Sequence, residues 1–119
     1  MHYEKTIGKV PFGEIEAGKK TVEGRLKKGD FAEFEEGDTV VWVNSSDKSQ
    51  KVETKITKVV GYDTLYHMIE TEGLKNVLPR FGVSTVQEGV DKVYRIPPIN
   101  YTEEKEKKFG VLAIHLELI

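Results

Sequence analysis

The sequence predicts an α+β domain that is mainly β, a small mixed or antiparallel barrel of about five to six strands with short helices inserted between them. Three observations predict it. Segments of strand character recur along the whole chain, the last running from Gly110 to Ile119, where Leu112, Ile114, Leu116 and Leu118 alternate with Ala113, His115 and Glu117. The apolar period changes from that of a strand to that of a helix between Asp63 and Lys108. No strand–helix–strand unit repeats, which weighs against a doubly wound parallel sheet.

Taken in order, His2 to Ile7 reads as a first strand ending at Gly8. Pro11 suits the first turn of a short helix reaching Ala17, with Phe12 and Ile15 three apart on one face. Gly18 is a natural helix C-cap, because it takes positive φ at no steric cost. A strand from Lys20 to Leu26 follows at once, and Lys27 to Phe34 reads as a polar connection with a turn at Gly29-Asp30. After a turn at Glu36-Gly37-Asp38, Thr39 to Val43 is a strongly apolar strand. The polar run Asn44 to Ser49 joins it, as a hairpin, to a strand from Gln50 to Val60. There Val52, Thr54 and Ile56 alternate against Lys51, Glu53 and Lys55, and Val59 breaks phase after Lys58, which predicts a bulge.

The helical half begins at Asp63 or Thr64 as N-cap, with Leu65, Met68 and Ile69 on one face and Gly73 as the stop. Leu74 to Leu78 adds a further turn before Pro79. Thr85-Val86-Gln87-Glu88 matches a capping box, and Val86, Val90, Val93 and Tyr94 make an apolar stripe to about Arg95, ended by Pro97-Pro98. Thr102 caps a last short helix, Glu103 to Lys108, whose acids lead and whose lysines trail as the helix dipole prefers.

Composition narrows the function classes. With 119 residues, 32% charged and 38% apolar, a single globular domain spanning 1–119 is expected. The net charge of -2 argues against nonspecific coating of nucleic acid, which is driven by phosphate neutralisation, and leaves room for a local basic groove. The absence of cysteine removes disulfides, thiolate metal sites and cysteine nucleophiles. The 3 histidines, His2, His67 and His115, include no two at a metal-ligand spacing, so neither a metal nor a cofactor is expected. No apolar run is long enough for a signal or a bilayer span, so no membrane association and a cytoplasmic location are expected.

Candidate site residues concentrate in Gly18 to Leu26, which holds Lys19, Lys20, Glu23 and Arg25 in one short run. On a strand, Thr21, Glu23 and Arg25 share one side and Val22 points to the other, which suggests a polar floor to a cleft. The alternative is a solvated strand face with one Glu–Arg pair, worth little. Alternation turns Lys20 away from Glu23, so the two reach one cleft only if the backbone twists after Gly18. Arg25 suits a bidentate clamp on phosphate or carboxylate, or simple pairing with Glu23. Trp42, between Val41 and Val43, is read as core rather than as a stacking surface. Tyr101, in a Pro-flanked segment, either faces the cleft or packs in the core. His115 is read as exposed, His67 as locally hydrogen-bonded, and Arg80 and Arg95 as a solvated face or a widened basic rim.

The run Phe12-x-x-Ile15-x-x-Gly18-x-Lys20-Thr21-Val22-Glu23-x-Arg25-Leu26 resembles the ASCH domain, a branch of the PUA-like superfamily. Gly37-Asp38 entering a strand, and Tyr101-x-x-Glu104 through Phe109-Gly110-Val111-Leu112-Ala113-Ile114, extend the resemblance over nearly the whole chain. It implies a PUA-like pseudo-barrel with a cleft beside the first helix and a role in RNA metabolism. Some small relatives deacetylate N4-acetylcytidine with a lysine that activates a threonine nucleophile and an assisting glutamate. The lysine falls on Lys20, the arginine on Arg25 and the glutamate on Glu72, with Glu70 as its rival. The nucleophile position is Glu23, which can act as a base toward water but cannot repeat a hydroxyl's acyl transfer; Thr21 is the nearest hydroxyl. The expected function is binding of RNA, a nucleoside or a nucleotide by Lys20, Thr21, Glu23, Arg25 and Tyr101. The alternatives are an amide hydrolase of an acylated nucleoside using Lys20, Glu23 and Glu72, a ribonuclease, or a protein-interaction adaptor, since a net charge of -2 gives RNA no long-range attraction.

Overall fold

The computed structural model describes residues 1–79, 83–94 and 102–119. Five strands in it form one curled, mixed sheet that closes as a half-barrel: β1 (His2–Ile7), β2 (Val22–Leu26), β3 (Thr39–Asn44), β4 (Lys51–Tyr62) and β5 (Val111–Leu118). The spatial order is β1-β3-β4-β5-β2, which leaves β1 and β2 as the two edges. β1 runs parallel to β3, and every other neighbouring pair is antiparallel. The mainly β, α+β expectation is therefore met, in its mixed form. Between the strands lie α1 (Lys9–Glu16), α2 (Leu65–Glu72), α3 (Leu74–Val77), α4 (Val86–Tyr94) and α5 (Glu103–Phe109).

Alternation along β5 divides the core in two. Leu112, Ile114 and Leu116 point to the inner face, where Phe12 and Ile15 of α1 pack with Trp42 and Ile56. Val111 and Ala113 point to the outer face, which Leu65, Met68 and Ile69 of α2 cover together with Val22 and Val77. Gly24 permits that close approach of α2 to β2, since a Cβ on it would stand 2.6 Å from Met68 Cε. The register shift in β4 falls between Ile56 and Lys58, where the sequence loses phase, and it separates the stretch paired with β3 from most of that paired with β5.

The start of β2 differs from the sequence reading. Gly18 sits at φ +75, its N–H donates to Ile15 O at 3.0 Å, and the N–H groups of Lys19 and Lys20 both donate to Glu14 O at 2.9 and 3.1 Å. The helix end thus still holds Lys20, and the strand begins at Val22 rather than at Lys20. Thr21 lies between the two, its N–H donating to Asn76 O at 3.2 Å and its carbonyl accepting from Leu116 N at 2.9 Å. The expected polar connection contains a 3-10 turn, Gly29–Glu33, anchored where Phe31 packs on buried Phe34 with ring centroids 5.1 Å apart.

Threonine caps open the helices as the sequence predicts: Thr64 accepts from His67 N at 3.1 Å, Thr85 from Glu88 N at 3.2 Å and Thr102 from Lys105 N at 3.2 Å. A second device is invisible in the sequence. Glu106 of α5 is buried, and its Oε1 accepts both from Leu65 N at 3.0 Å and from the Tyr94 hydroxyl at 2.8 Å. Burial, and then this carboxylate, push the Tyr94 phenol well above its ordinary pKa. Glu106→Ala strips an acceptor from two donors, so urea denaturation should read a loss of about 2 kcal/mol. Arg80, Arg95, Pro97-Pro98 and Tyr101 lie outside the described residues.

Candidate functional site

The junction of α1 with β2 buries a lysine. Lys20, 5% exposed, donates from Nζ to the Val77 carbonyl of α3 and lies 3.6 Å from Glu23 Oε1. Because Lys20 precedes the strand, its side chain meets Glu23 across a turn-like spacing of three residues, where strict alternation would have parted them. The other carboxylate oxygen, Oε2, accepts from Arg25 Nη2 at 3.4 Å. Glu23 is therefore held between two cations. Burial alone would raise its pKa, but the charges and hydrogen bonds of Lys20 and Arg25 override it and hold the carboxyl below its ordinary value.

Glu23 and Arg25 stand opposite Ile114 and Leu112, so both face the interior of the half-barrel. Across the opening is the inner side of β1, where Tyr3, Lys5 and Ile7 alternate inward. Phe31 links the two edges: the Arg25 guanidinium and Lys5 Nζ each lie 4.9 Å from its ring centroid, at most twice that distance apart. Lys5 also pairs with Asp30 Oδ2 at 2.8 Å. The aromatic row continues from Phe31 to Phe34 and on to Tyr3, whose ring centroid is 4.5 Å from that of Phe34. Arg25 and Lys5 keep 22% and 23% of their side-chain surface, so a ligand can reach both; Lys20, at 5%, is buried.

Glu72 belongs to a different cluster. Its Oε2 accepts from the Tyr62 hydroxyl at 2.6 Å, and His115 Nε2 lies 2.9 Å from Oε1, out of line for a hydrogen bond. His115 follows Ile114 on β5, so it points to the outer, helix-covered face, away from the face that Glu23 occupies. The two groups meet through backbone and one amide: Asn76 Nδ2 donates to Glu72 O at 2.8 Å while Asn76 O accepts from Thr21 N. His115, read from the sequence as exposed, is half-buried against Glu72, because α2 lies over this end of β5. Burial, and then Glu72, push the Tyr62 phenol up to about 12. Glu70 and the Thr21 side chain are exposed, and His67 presents its ring edge to Tyr62 with centroids 5.2 Å apart. Trp42 is fully buried, as expected.

Among the described residues no three His, Cys, Asp or Glu converge to hold a metal, and no helix is long and apolar enough to cross a membrane.

The ASCH domain family matches residues 6–119. The chain belongs to the ASCH domain family. Its fold is similar to the crystal structure of hypothetical protein PH0355, at 34% identity over 100% of both chains and a TM-score of 0.83. It is also similar to the solution NMR structure of protein PF0455 from Pyrococcus furiosus, at 34% identity over 100% of this chain and 98% of that one, with a TM-score of 0.74. A search of the curated proteins found no match.

In this ASCH domain, with its PUA-like half-barrel, the motif residues Lys20, Glu23 and Arg25 converge while Glu72 turns to the other face. The sequence reading missed Lys5 and Phe31 as members of the seam. Lys5 carried a signal, its inward place between Tyr3 and Ile7. Phe31 carried a weaker one, its three-residue spacing from Phe34.

Proposed function

We propose that this ASCH domain binds single-stranded RNA or a nucleotide at the seam between β1 and β2. Arg25 and Lys5 serve as phosphate partners and Phe31 as a stacking surface for a base. The observation that carries this reading is the pair of reachable cations 4.9 Å from one half-buried ring, one from each edge of the sheet. Unstacked bases are bound on aromatic rings, and the arginine fork suits phosphate oxygens. The buried Lys20–Glu23 pair is a positioning device that aims Arg25. Thr21, exposed beside it, is available to a ligand that extends along the seam.

Amide hydrolysis receives less support from this geometry. Glu23 is paired through both oxygens and its pKa is lowered, which makes it a weak base toward water. Glu72 accepts from the Tyr62 hydroxyl on the other face of the sheet.

Fluorescence anisotropy with a labelled single-stranded RNA at about 50 mM salt tests the proposal. Arg25→Ala should weaken binding about tenfold, as loss of one charge-assisted hydrogen bond predicts, and should lower the slope of log affinity against log salt by about 0.7. Undiminished binding by Arg25→Ala, or no binding of RNA or nucleotide by the native chain, would refute it. Turnover of N4-acetylcytidine that Lys20→Ala abolishes would establish the hydrolase instead.

A further inference from the structure

Away from the seam, the end of the half-barrel where β2 stops and β5 starts brings two lysines to one aromatic ring, each with a second lysine next to it in the chain. Lys27 N–H donates to Gly110 O at 3.0 Å, extending the β2–β5 ladder one step past Leu26 and Val111. That bond sets Lys27 and Lys28, leaving β2, against Lys107 to Gly110, entering β5. Lys28 Nζ lies 5.3 Å and Lys108 Nζ 5.2 Å from the ring centroid of half-buried Phe109, and all four lysines are exposed.

Gly110 and Val111, which follow Phe109 in the chain, line a groove of about 300 Å³ together with Lys27, Tyr62, Asp63 and His67, among others, at the lower end of the size of small-molecule sites. Asp63 is the carboxylate in that lining. Glu103 and Glu104 begin α5 while Lys107 and Lys108 end it, and Glu106 is buried and occupied by Leu65 and Tyr94. Positive charge is thus in local excess within a chain of net charge -2. Lysines in a last helical turn complement the helix dipole, which accounts for Lys107 and Lys108 but not for Lys27 and Lys28. An exposed ammonium over a ring is worth only about 0.5–1 kcal/mol, too little to make stability the reason for the grouping.

We infer that this end of the molecule is a second contact for single-stranded nucleic acid, with Phe109 as a stacking ring and Lys27, Lys28, Lys107 and Lys108 as phosphate partners. An aromatic ring set among cations is a general device for binding a single strand. The inference rests on the RNA reading of the seam and deepens it, because it makes the ligand a polymer. Arg25 and Lys28 lie three residues apart, about 10 Å of chain, a separation that a few nucleotides of single strand can span.

The test is anisotropy with a single-stranded 12-nucleotide RNA over a salt series, for the native chain, Lys28→Ala/Lys108→Ala, Phe109→Leu, Arg25→Ala and a control, Lys48→Ala/Lys55→Ala, whose exposed lysines lie elsewhere. Circular dichroism verifies that each variant is folded. The Lys28/Lys108 variant should bind about tenfold more weakly, with its salt slope lowered by about 1.4, the value for two lost phosphate contacts on a single strand. Phe109→Leu should weaken binding about fivefold or more through lost stacking, and the control should stay within about twofold.

Weakening by Arg25→Ala but not by the Lys28/Lys108 or Phe109 variants would overturn this contact and leave the seam reading standing. The reverse pattern would uphold this contact and remove the seam. Equal weakening in the Lys48/Lys55 control would make the effect general electrostatics and overturn the contact. Absence of any binding by the native chain at low salt would remove both.

Discussion

Glu23→Ala is expected to destabilise the fold by about 3–5 kcal/mol at pH 7, the range for removing one partner of a buried ion pair. Lys20 drives the effect more than Arg25 does. Arg25 retains 22% of its side-chain surface and can turn toward water, whereas Lys20 retains 5% and loses the carboxylate 3.6 Å from its Nζ while staying buried. The sign of the pH dependence follows from the lowered pKa of Glu23. Its unfolded value is near 4.5 and its folded value lies below that. Its stabilisation is therefore complete above about pH 4.5 and is lost as pH falls through the folded value. Asp38, lowered by the N-terminal ammonium and Glu35 N–H, and Asp47, lowered by Ser49, titrate alike in both proteins and cancel in the difference. Urea denaturation of native and variant chains should give a gap that is flat from about pH 7 to 5 and narrows below about 4.5. A gap under about 1 kcal/mol at pH 7 would mean that Glu23 is not the anion on which Lys20 depends.

The physical reason this pair escaped a strand-based reading also explains how much else was legible. Local rules reached whatever local chemistry decides. The threonines at 64, 85 and 102 can only satisfy their own helix ends, and Gly18 takes the positive φ that its position requires. The bulge near Lys58 was readable because a period of two cannot absorb an extra residue silently. What the sequence could not reveal depends on partners far along the chain. β1 pairs only with β3 and β2 only with β5, so these two become the edges that flank the seam. The Glu106 contact with Leu65 spans 41 residues, and the approach of His115 to Glu72 depends on where α2 comes to rest. Lys20 is an intermediate case. The Gly18 cap was visible, but not that the carbonyl of Glu14 would hold the next two amides and delay the strand until Val22.

Trp42→Ala should be about as costly, roughly 3–5 kcal/mol, and should weaken the seam as well as the core. Trp42 is fully buried on β3, opposite Val52 of β4 and beside Lys5 of β1. Its Nε1 donates to Thr54 Oγ1 at 3.0 Å, and that hydroxyl donates onward to Val40 O at 3.0 Å, so the ring is fastened to both strands of the hairpin. The cavity left by alanine would open beneath the strand that presents Lys5 to Phe31, and RNA affinity should fall together with thermal stability, by on the order of 10 °C in Tm. Two gentler variants separate packing from hydrogen bonding. Thr54→Val preserves shape and leaves the indole N–H without its acceptor, so about 1–3 kcal/mol should be lost. Trp42→Phe removes the N–H together with part of the ring and should fall between native and alanine. If Trp42→Phe instead proves as unstable as Trp42→Ala, the hydrogen-bond chain to Val40, and not the filled volume, holds β3 in place.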